Sequence, residues 1–177
     1  MANGRSSATD RYSVTPKYLS TRNQAINFPP KLFNLKFKKD QVYGVVIDIP
    51  MTPQVLGTMV CFINGAANLY FNNGGEYSGA AQKYRTLVQA SHALVANAGM
   101  LLPKCEKVKA YDLPTGRTHN IYLLTTGGIY KTVVKPGIIP EDQQELRSIY
   151  VMYQKVLSEL RNCQLKDDAA KRAGSAE

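Results

Sequence analysis

Histidine and cysteine are the residue types of this 177-residue chain that are best suited to proton transfer and nucleophilic attack. The sequence contains two histidines and three cysteines: His92, His119, Cys61, Cys105 and Cys163. A catalytic nucleophile needs a base within hydrogen-bonding reach, and the base needs a group that orients it. No spacing in the sequence pairs one of the cysteines with a histidine. An enzyme that uses Cys105, His119 or Arg117 therefore stays an alternative with no motif behind it.

Motifs that would hold a metal or a phosphate are also missing from the sequence. Adjacent acidic residues occur only as Glu141-Asp142, which suits the first turn of a helix, and as Asp167-Asp168, which suits a solvated tail. Residues 72–79 form a glycine-containing turn between a predicted strand and a predicted helix, where a phosphate-binding loop would lie. The turn lacks the GxxxxGK[ST] order, however. We expect no catalytic residues, no metal and no cofactor.

The positive charge of the chain, a formal net +9, is concentrated near the N-terminus. Residues 1–40 carry eight Lys and Arg against two Asp, whereas the other 137 residues carry fourteen against eleven acidic residues. Residues 1–31 are rich in Ser, Thr, Asn and charge, so we expect a basic, partly disordered arm. Such an arm attracts phosphates or acidic surfaces, although solubility explains it equally well. The candidate basic residues are Arg5, Arg11, Lys17, Arg22, Lys36, Lys38 and Lys39.

The expected location is cytoplasmic. No apolar run approaches the ~20 residues that span a bilayer, so no membrane span is expected, and the first thirteen residues contain no apolar segment typical of a signal peptide. An odd number of widely spaced cysteines argues against a disulfide framework. Cys61 lies in an apolar run, which favours a buried thiol.

Alternating and β-branched runs predict seven strands. The first two are residues 33–38 and 42–49, and the next two, 58–63 and 67–72, are joined by Asn64-Gly65, a pair typical of a type I′ hairpin turn. Residues 108–113, 121–126 and 129–134 complete the set, with Gly127-Gly128 as a tight link.

Two stretches with apolar residues at intervals of three and four predict helices. The first covers residues 78–102, with Ser78 as a candidate N-cap. The second covers residues 141–162. We predict an α+β fold with three regions: the arm at 1–31, a single domain at 32–163 and a disordered charged tail at 164–177. Its antiparallel sheet of five or more strands carries a long central helix and a C-terminal helix, in a β-β-α-β-β-β-α core.

This order of elements resembles the roadblock and longin superfamily of profilin-like domains. The resemblance rests on the hairpin at residues 59–71, the helix at 78–102, the Gly127-Gly128 hairpin and the helix at 141–162, about three-fifths of the chain. It implies a homodimeric scaffold or regulator of small GTPases, with no residue-level site carried over.

Tyrosine is abundant, with eleven residues, and several tyrosines lie beside basic residues. Tyrosine is enriched at protein interfaces, and aromatic residues mixed with basic ones also bind single-stranded nucleic acid. The sequence therefore predicts a protein-interaction module that binds itself or another protein, with nucleic-acid binding through the arm as the alternative. The candidate interaction residues are Tyr84, Arg85, Arg117, His119, Tyr150 and Tyr153.

Overall fold

A computed structural model of the chain describes residues 12–176. In this part of the chain one antiparallel sheet of seven strands is combined with three α-helices, which confirms the α+β prediction. The strand order across the sheet is β4-β3-β2-β1-β6-β7-β5. The strands are β1 Val42–Pro50, β2 Leu56–Phe62, β3 Ala67–Phe71, β4 Glu76–Tyr77, β5 Glu106–Val108, β6 His119–Thr125 and β7 Gly128–Val134. The helices are α1 Pro16–Ile26, α2 Arg85–Asn97 and α3 Gln144–Gly174.

Strand β1 is the centre of the sheet and is covered on both faces. Val45, Ile47 and Ile49 belong to the core beneath α2 and α3. Tyr43 and Val46 belong to a second cluster on the opposite face. A strand covered on both faces is apolar along its whole length instead of alternating, which explains the continuous β-branched run in the sequence.

The predicted hairpin between β2 and β3 is confirmed, but its turn differs from the expected type. Gly65 has a positive φ of 87°, whereas Asn64 does not, so the turn is not type I′. The Asn64 side chain instead accepts a hydrogen bond from the Ala66 amide at 3.0 Å. A Cβ at position 65 would lie 2.6 Å from the side chains of Val88 and His92 on α2, so glycine is required for close approach as well.

The central helix is shorter than predicted. In the predicted range 78–102, α2 is flanked by two 3₁₀ helices, Ala80–Gln82 and Ala98–Lys104, the second of which extends beyond the range. Ser78 is not the N-cap, because Gly79 adopts a left-handed conformation (φ 78°) and α2 begins after Tyr84.

Strand β5 is shorter than the predicted strand at 108–113 and has only three residues. Residues 109–118, of which 109–113 were predicted as strand, are irregular.

The prediction of a disordered tail at 164–177 is wrong for residues 164–174, which continue α3. The side chain of Asp167 accepts hydrogen bonds from Tyr77 at 2.7 Å and from Tyr84 at 2.5 Å. These bonds attach the helix to β4 and to the start of α2, one turn beyond its last buried residue, Cys163.

The prediction of an arm at 1–31 is wrong for residues 12–31, while residues 1–11, with Arg5 and Arg11, lie outside the described residues. Thr15 caps α1 by accepting a hydrogen bond from the Tyr18 amide, and Pro16 occupies the first turn. Tyr18, Arg22 and Ile26 follow at intervals of four and are buried against the sheet. Helix α1 therefore belongs to the folded domain.

A buried ion pair between Arg22 and Asp48 holds α1 on the sheet. Arg22 Nε and Nη2 donate to the two Asp48 carboxylate oxygens at 2.9 and 2.7 Å. Thr58 Oγ1 also donates to Asp48, at 2.8 Å, and shares a hydrogen bond with the Tyr18 hydroxyl at 2.6 Å. Arg22 Nη1 reaches the carbonyl of Tyr111 at 2.7 Å. The pair thus joins α1, β1, β2 and the irregular segment 109–118.

Residues 33–38 are not the predicted strand. Pro30–Phe33 is a 3₁₀ helix, Asn34 is left-handed with φ 54°, and no strand follows before β1. The alternating aromatic residues Phe33 and Phe37 still face inward, because their rings pack on Tyr43 at centroid distances of 5.9 and 5.6 Å. The segment covers the sheet face opposite α2 and α3 as a layer without ladder hydrogen bonds.

We expect Arg22→Met to lower the free energy of unfolding by about 3–5 kcal/mol, because it leaves the Asp48 carboxylate buried without its partner. Lys17→Met removes the same charge from an exposed position of the same helix and should change it by less than ~1 kcal/mol. Urea denaturation measures both. Adding Asp48→Asn to Arg22→Met should recover part of the loss; an equally small effect of the two single variants would contradict the assignment.

Candidate functional site

His119 precedes the strand predicted at residues 121–126, but in the structure it is already part of β6, where it pairs with Val134 of β7. Its side chain is buried, with 6% of the residue exposed. Nδ1 lies 2.7 Å from the hydroxyl of Tyr153 on α3. The irregular segment 109–118, which contains exposed Arg117, ends directly before His119.

Two tyrosines of α3 form one aromatic cluster with His119. The Tyr150 ring stacks on the imidazole with centroids 6.4 Å apart, and Tyr153 meets Tyr150 edge-on at 5.2 Å. Tyr153 is fully buried and Tyr150 is half-buried. The interval of three residues places both rings on one side of the helix. The structure thus brings together four of the six candidate interaction residues, counting Arg117 in the adjoining loop.

Burial determines the protonation states in this cluster. It lowers the pKa of His119 to about 4, so the imidazole is neutral at pH 7. Burial also raises the pKa of Tyr153, so its hydroxyl keeps its proton. When the hydroxyl donates to Nδ1, the imidazole carries its own proton on Nε2. The cluster then presents a neutral N–H donor.

A cleft of about 390 Å³ adjoins His119, where β1 ends and β6 begins. Its lining consists of Pro50, Met51, Thr52, Pro53, Arg117, His119 and Pro136. A guanidinium beside a neutral imidazole suits an anionic or hydrogen-bond-accepting group, while the prolines and the methionine supply apolar walls.

A larger open depression of about 750 Å³ lies between the segment before α3 and the first turns of that helix. Its lining consists of Gly137, Ile139, Gln144, Arg147, Ser148, Tyr150, Val151 and Met152. Val151 of this lining is 66% exposed, and Ile138, between the lining residues Gly137 and Ile139, is 75% exposed. We refer to Ile138, Ile139, Tyr150, Val151 and Met152 as the α3 surface. Tyr150 belongs both to this surface and to the His119 cluster.

The two remaining candidates, Tyr84 and Arg85, lie elsewhere. The hydroxyls of Tyr84 and Tyr77 both donate to the Asp167 carboxylate. The hydrogen bond to Asp167 and the charge of that carboxylate raise the pKa of Tyr84 to about 12. The same hydrogen bonds, with help from the charge of Lys83, lower the pKa of Asp167. Arg85 is exposed and takes no part. Sequence reasoning missed Asp167, although it lies four residues after Cys163 and so continues the buried stripe of α3.

The thiols are poor nucleophiles in this fold. Burial raises the pKa of Cys61 to about 12 and that of Cys105 to about 11, and it also raises the pKa of Cys163. All three are free thiols, and Cys61 is buried as predicted. Because the thiolate is the reactive form, such pKa values disfavour thiol chemistry at neutral pH.

Within residues 12–176, no three His, Cys, Asp or Glu side chains are grouped so that they could hold a metal ion. None of the helices described in that range is both long and apolar enough to cross a membrane.

The predicted basic residues have different environments. Arg22 is enclosed in the pair with Asp48 and is unavailable to a partner molecule. Lys17 is exposed, and its Nζ lies 3.8 Å from Oε1 of Glu76. Lys36, Lys38 and Lys39 are exposed on the segment before β1.

Comparison with protein-family models, with curated proteins and with solved structures finds no match for this chain.

The neutral state of buried His119 makes stability depend on pH. Since its folded pKa lies below the unfolded value, the unfolded chain binds the extra proton, and stability should fall as the pH drops from about 6.5 towards 4. Between pH 7.5 and 4.5 we expect His119 to account for a loss of about 2 kcal/mol. His119→Asn keeps a polar side chain beside the Tyr153 hydroxyl but cannot take up the proton. It should therefore reduce the pH dependence of stability, measured by urea denaturation at the two pH values. His92→Gln, at an exposed position of α2, is the control; equal pH dependence in all three proteins would contradict the account.

We expect Asp167→Asn to loosen the end of α3, because an amide is a weaker acceptor for the hydroxyls of Tyr77 and Tyr84. Amides of residues 164–174 should then exchange with solvent faster, while those of the first turns of α3 stay protected. Asp168→Asn removes the same charge from the neighbouring position and should leave exchange nearly unchanged. Similar exchange in the two variants would show that the tyrosines do not hold the helix.

Proposed function

We propose that this protein is a non-enzymatic protein-interaction module that pairs with a second copy of itself through the α3 surface. The observation that carries the proposal is the exposure of Ile138 and Val151 at a depression that Ile139, Tyr150 and Met152 also line. Exposed apolar groups that are contiguous and partly rimmed by polar residues are typical of interaction sites.

The α3 surface is held rigidly, which reduces the entropy lost on binding. Ile149 and Tyr153, in the same turns of the helix, are fully buried in the core. Tyr150 is fixed by its contacts with His119 and Tyr153. A partner therefore meets a preformed shape, and tyrosine is among the residues that contribute most to interface energy.

The distribution of charge favours a second copy at this place. The chain carries a formal net charge of +9, so two copies repel each other at long range. Arg147 is the one charged residue that lines the depression in the described part of the chain. An isologous contact here would bury the same apolar residues of both copies with little like-charge contact. A stable dimer would need about 800 Å² buried on each copy, so neighbouring residues would have to contribute.

The non-enzymatic part of the proposal is supported by the state of the reactive side chains. His119 contacts a buried tyrosine that retains its proton, rather than a thiol. Cys61 and Cys105 are both kept protonated by burial.

The finer proposal, that the dimer regulates a small GTPase, rests on the resemblance of element order to roadblock and longin domains. Its test is direct: a dimeric preparation should alter the nucleotide exchange or hydrolysis rate of a small GTPase from the same source, and a panel of such GTPases without response would remove this part of the proposal.

Light scattering coupled to size-exclusion chromatography tests pairing. At tens of micromolar the protein should elute with about twice the monomer mass, because burial of exposed Ile138 and Val151 stabilises the contact. The double variant Ile138→Asp and Val151→Asp should be monomeric, since it would bury four carboxylates in one dimer. Leu165→Asp, at an exposed position of the same helix outside the α3 surface, should still pair. A wild-type protein that is monomeric under these conditions would end the proposal.

The alternative function, nucleic-acid binding through the basic arm, is supported by the exposed lysines at 36, 38 and 39. Arg22 cannot contribute, since it is paired inside the fold. Binding of this kind would weaken steeply with salt.

A further inference from the structure

Residues 29–40, which we term the basic loop, combine exposed lysines with exposed leucines. The lysines are Lys31, Lys36, Lys38 and Lys39, and none of them has an ion-pair partner among residues 12–176. Asp40 is the single acidic residue of the loop. Leu32 is 63% exposed and Leu35 is 56% exposed. Four cations and two large apolar side chains therefore reach solvent within nine residues.

The basic loop is fastened to the sheet rather than free. The rings of Phe33 and Phe62 are 5.5 Å apart, and Phe37 packs on Tyr43. The Thr126 hydroxyl, in the turn between β6 and β7, donates to the carbonyl of Lys39 at 3.2 Å. The lysines and leucines thus extend from an ordered base, so a partner need not order the whole loop on binding.

We propose that the basic loop docks on an anionic phospholipid surface. Lysines near such a surface are attracted by its negative potential, and neighbouring leucines can enter the boundary between headgroups and acyl chains. Both contributions are needed for lasting attachment, because either alone gives only weak, reversible binding. Leu32 and Leu35 supply the apolar part, and the four lysines supply the attraction.

The aromatic rings explain why a lipid surface fits better than nucleic acid. Single-stranded nucleic acid binds where aromatic faces are free to stack on bases. In the basic loop, the Phe33 ring is surrounded by Phe28, Phe37, Tyr43 and Phe62 at centroid distances of 5.3, 6.4, 5.9 and 5.5 Å. The large apolar groups left exposed between the lysines, Leu32 and Leu35, are aliphatic, and these suit an acyl boundary rather than a base.

Co-sedimentation of the full chain with vesicles tests the proposal. The protein should bind vesicles of phosphatidylcholine with about 30% phosphatidylserine and not vesicles of phosphatidylcholine alone. Lys36→Gln with Lys38→Gln should weaken binding by about tenfold or more, since each lysine near the surface contributes about a fivefold factor. The matched control, Lys171→Gln with Arg172→Gln at the exposed end of α3, removes the same charge and should have little effect.

The leucines distinguish a lipid surface from other anions. Leu32→Ser with Leu35→Ser leaves the charge unchanged, and it should still weaken vesicle binding by about tenfold while leaving the circular dichroism spectrum intact. Unchanged vesicle binding by this leucine variant would overturn the proposal, and so would a wild-type protein that ignores anionic vesicles. Tighter binding to single-stranded RNA than to the vesicles, at equal salt and insensitive to the leucine change, would assign the loop to nucleic acid instead.

Discussion

The ion pair between Arg22 and Asp48 connects parts of the fold that are far apart in the sequence. It lies inside the fold, where an unpaired charge would be costly. Thr58 donates a further hydrogen bond to Asp48, and carbonyls of the segment 109–118 accept from Arg22. The Tyr18 hydroxyl in turn bonds the Thr58 hydroxyl. If α1 left the sheet, the buried Asp48 carboxylate would either lose its charged partner or become exposed to solvent. The N-terminal helix, the central strand and the irregular segment are therefore stabilised as one unit.

With α1 and the basic loop on one face and α2 and α3 on the other, both faces of the central strands are covered. The surfaces left for function are consequently at the margins: the α3 surface, the cleft beside His119 and the exposed side of the basic loop. The first is apolar and nearly uncharged, whereas the last is basic, so a protein partner and an anionic surface would use separate parts of the molecule. The His119 cluster links the cleft with the α3 surface through Tyr150.

The elements that the sequence predicted well are those in which local pattern and burial agree. Strands β1, β2 and β6 contain apolar runs that are buried, and the buried residues of α3 from Leu146 to Leu160 recur at helical spacing. The helix in residues 12–31 was not predicted, because the composition of this segment is polar and charged and therefore suggested disorder. One of its charged residues, Arg22, is in fact buried where the helix packs on the sheet. Residues 33–38 alternate like a strand, but β1 already has β2 and β6 on its two edges. The burial of His119 depends on Tyr153, thirty-four residues away, and no local signal reports it.

The central claim is that α1 is an integral layer of the domain, fixed through Arg22 and Asp48. Hydrogen exchange of the full chain tests it most directly, because amides that open only on global unfolding share one free energy of opening. The account predicts that the amides of residues 20–26 in α1 exchange with the same free energy as those of Val45–Ile47 in β1. Exchange of the α1 amides at the rate of an unstructured chain, while β1 stays protected, would contradict it.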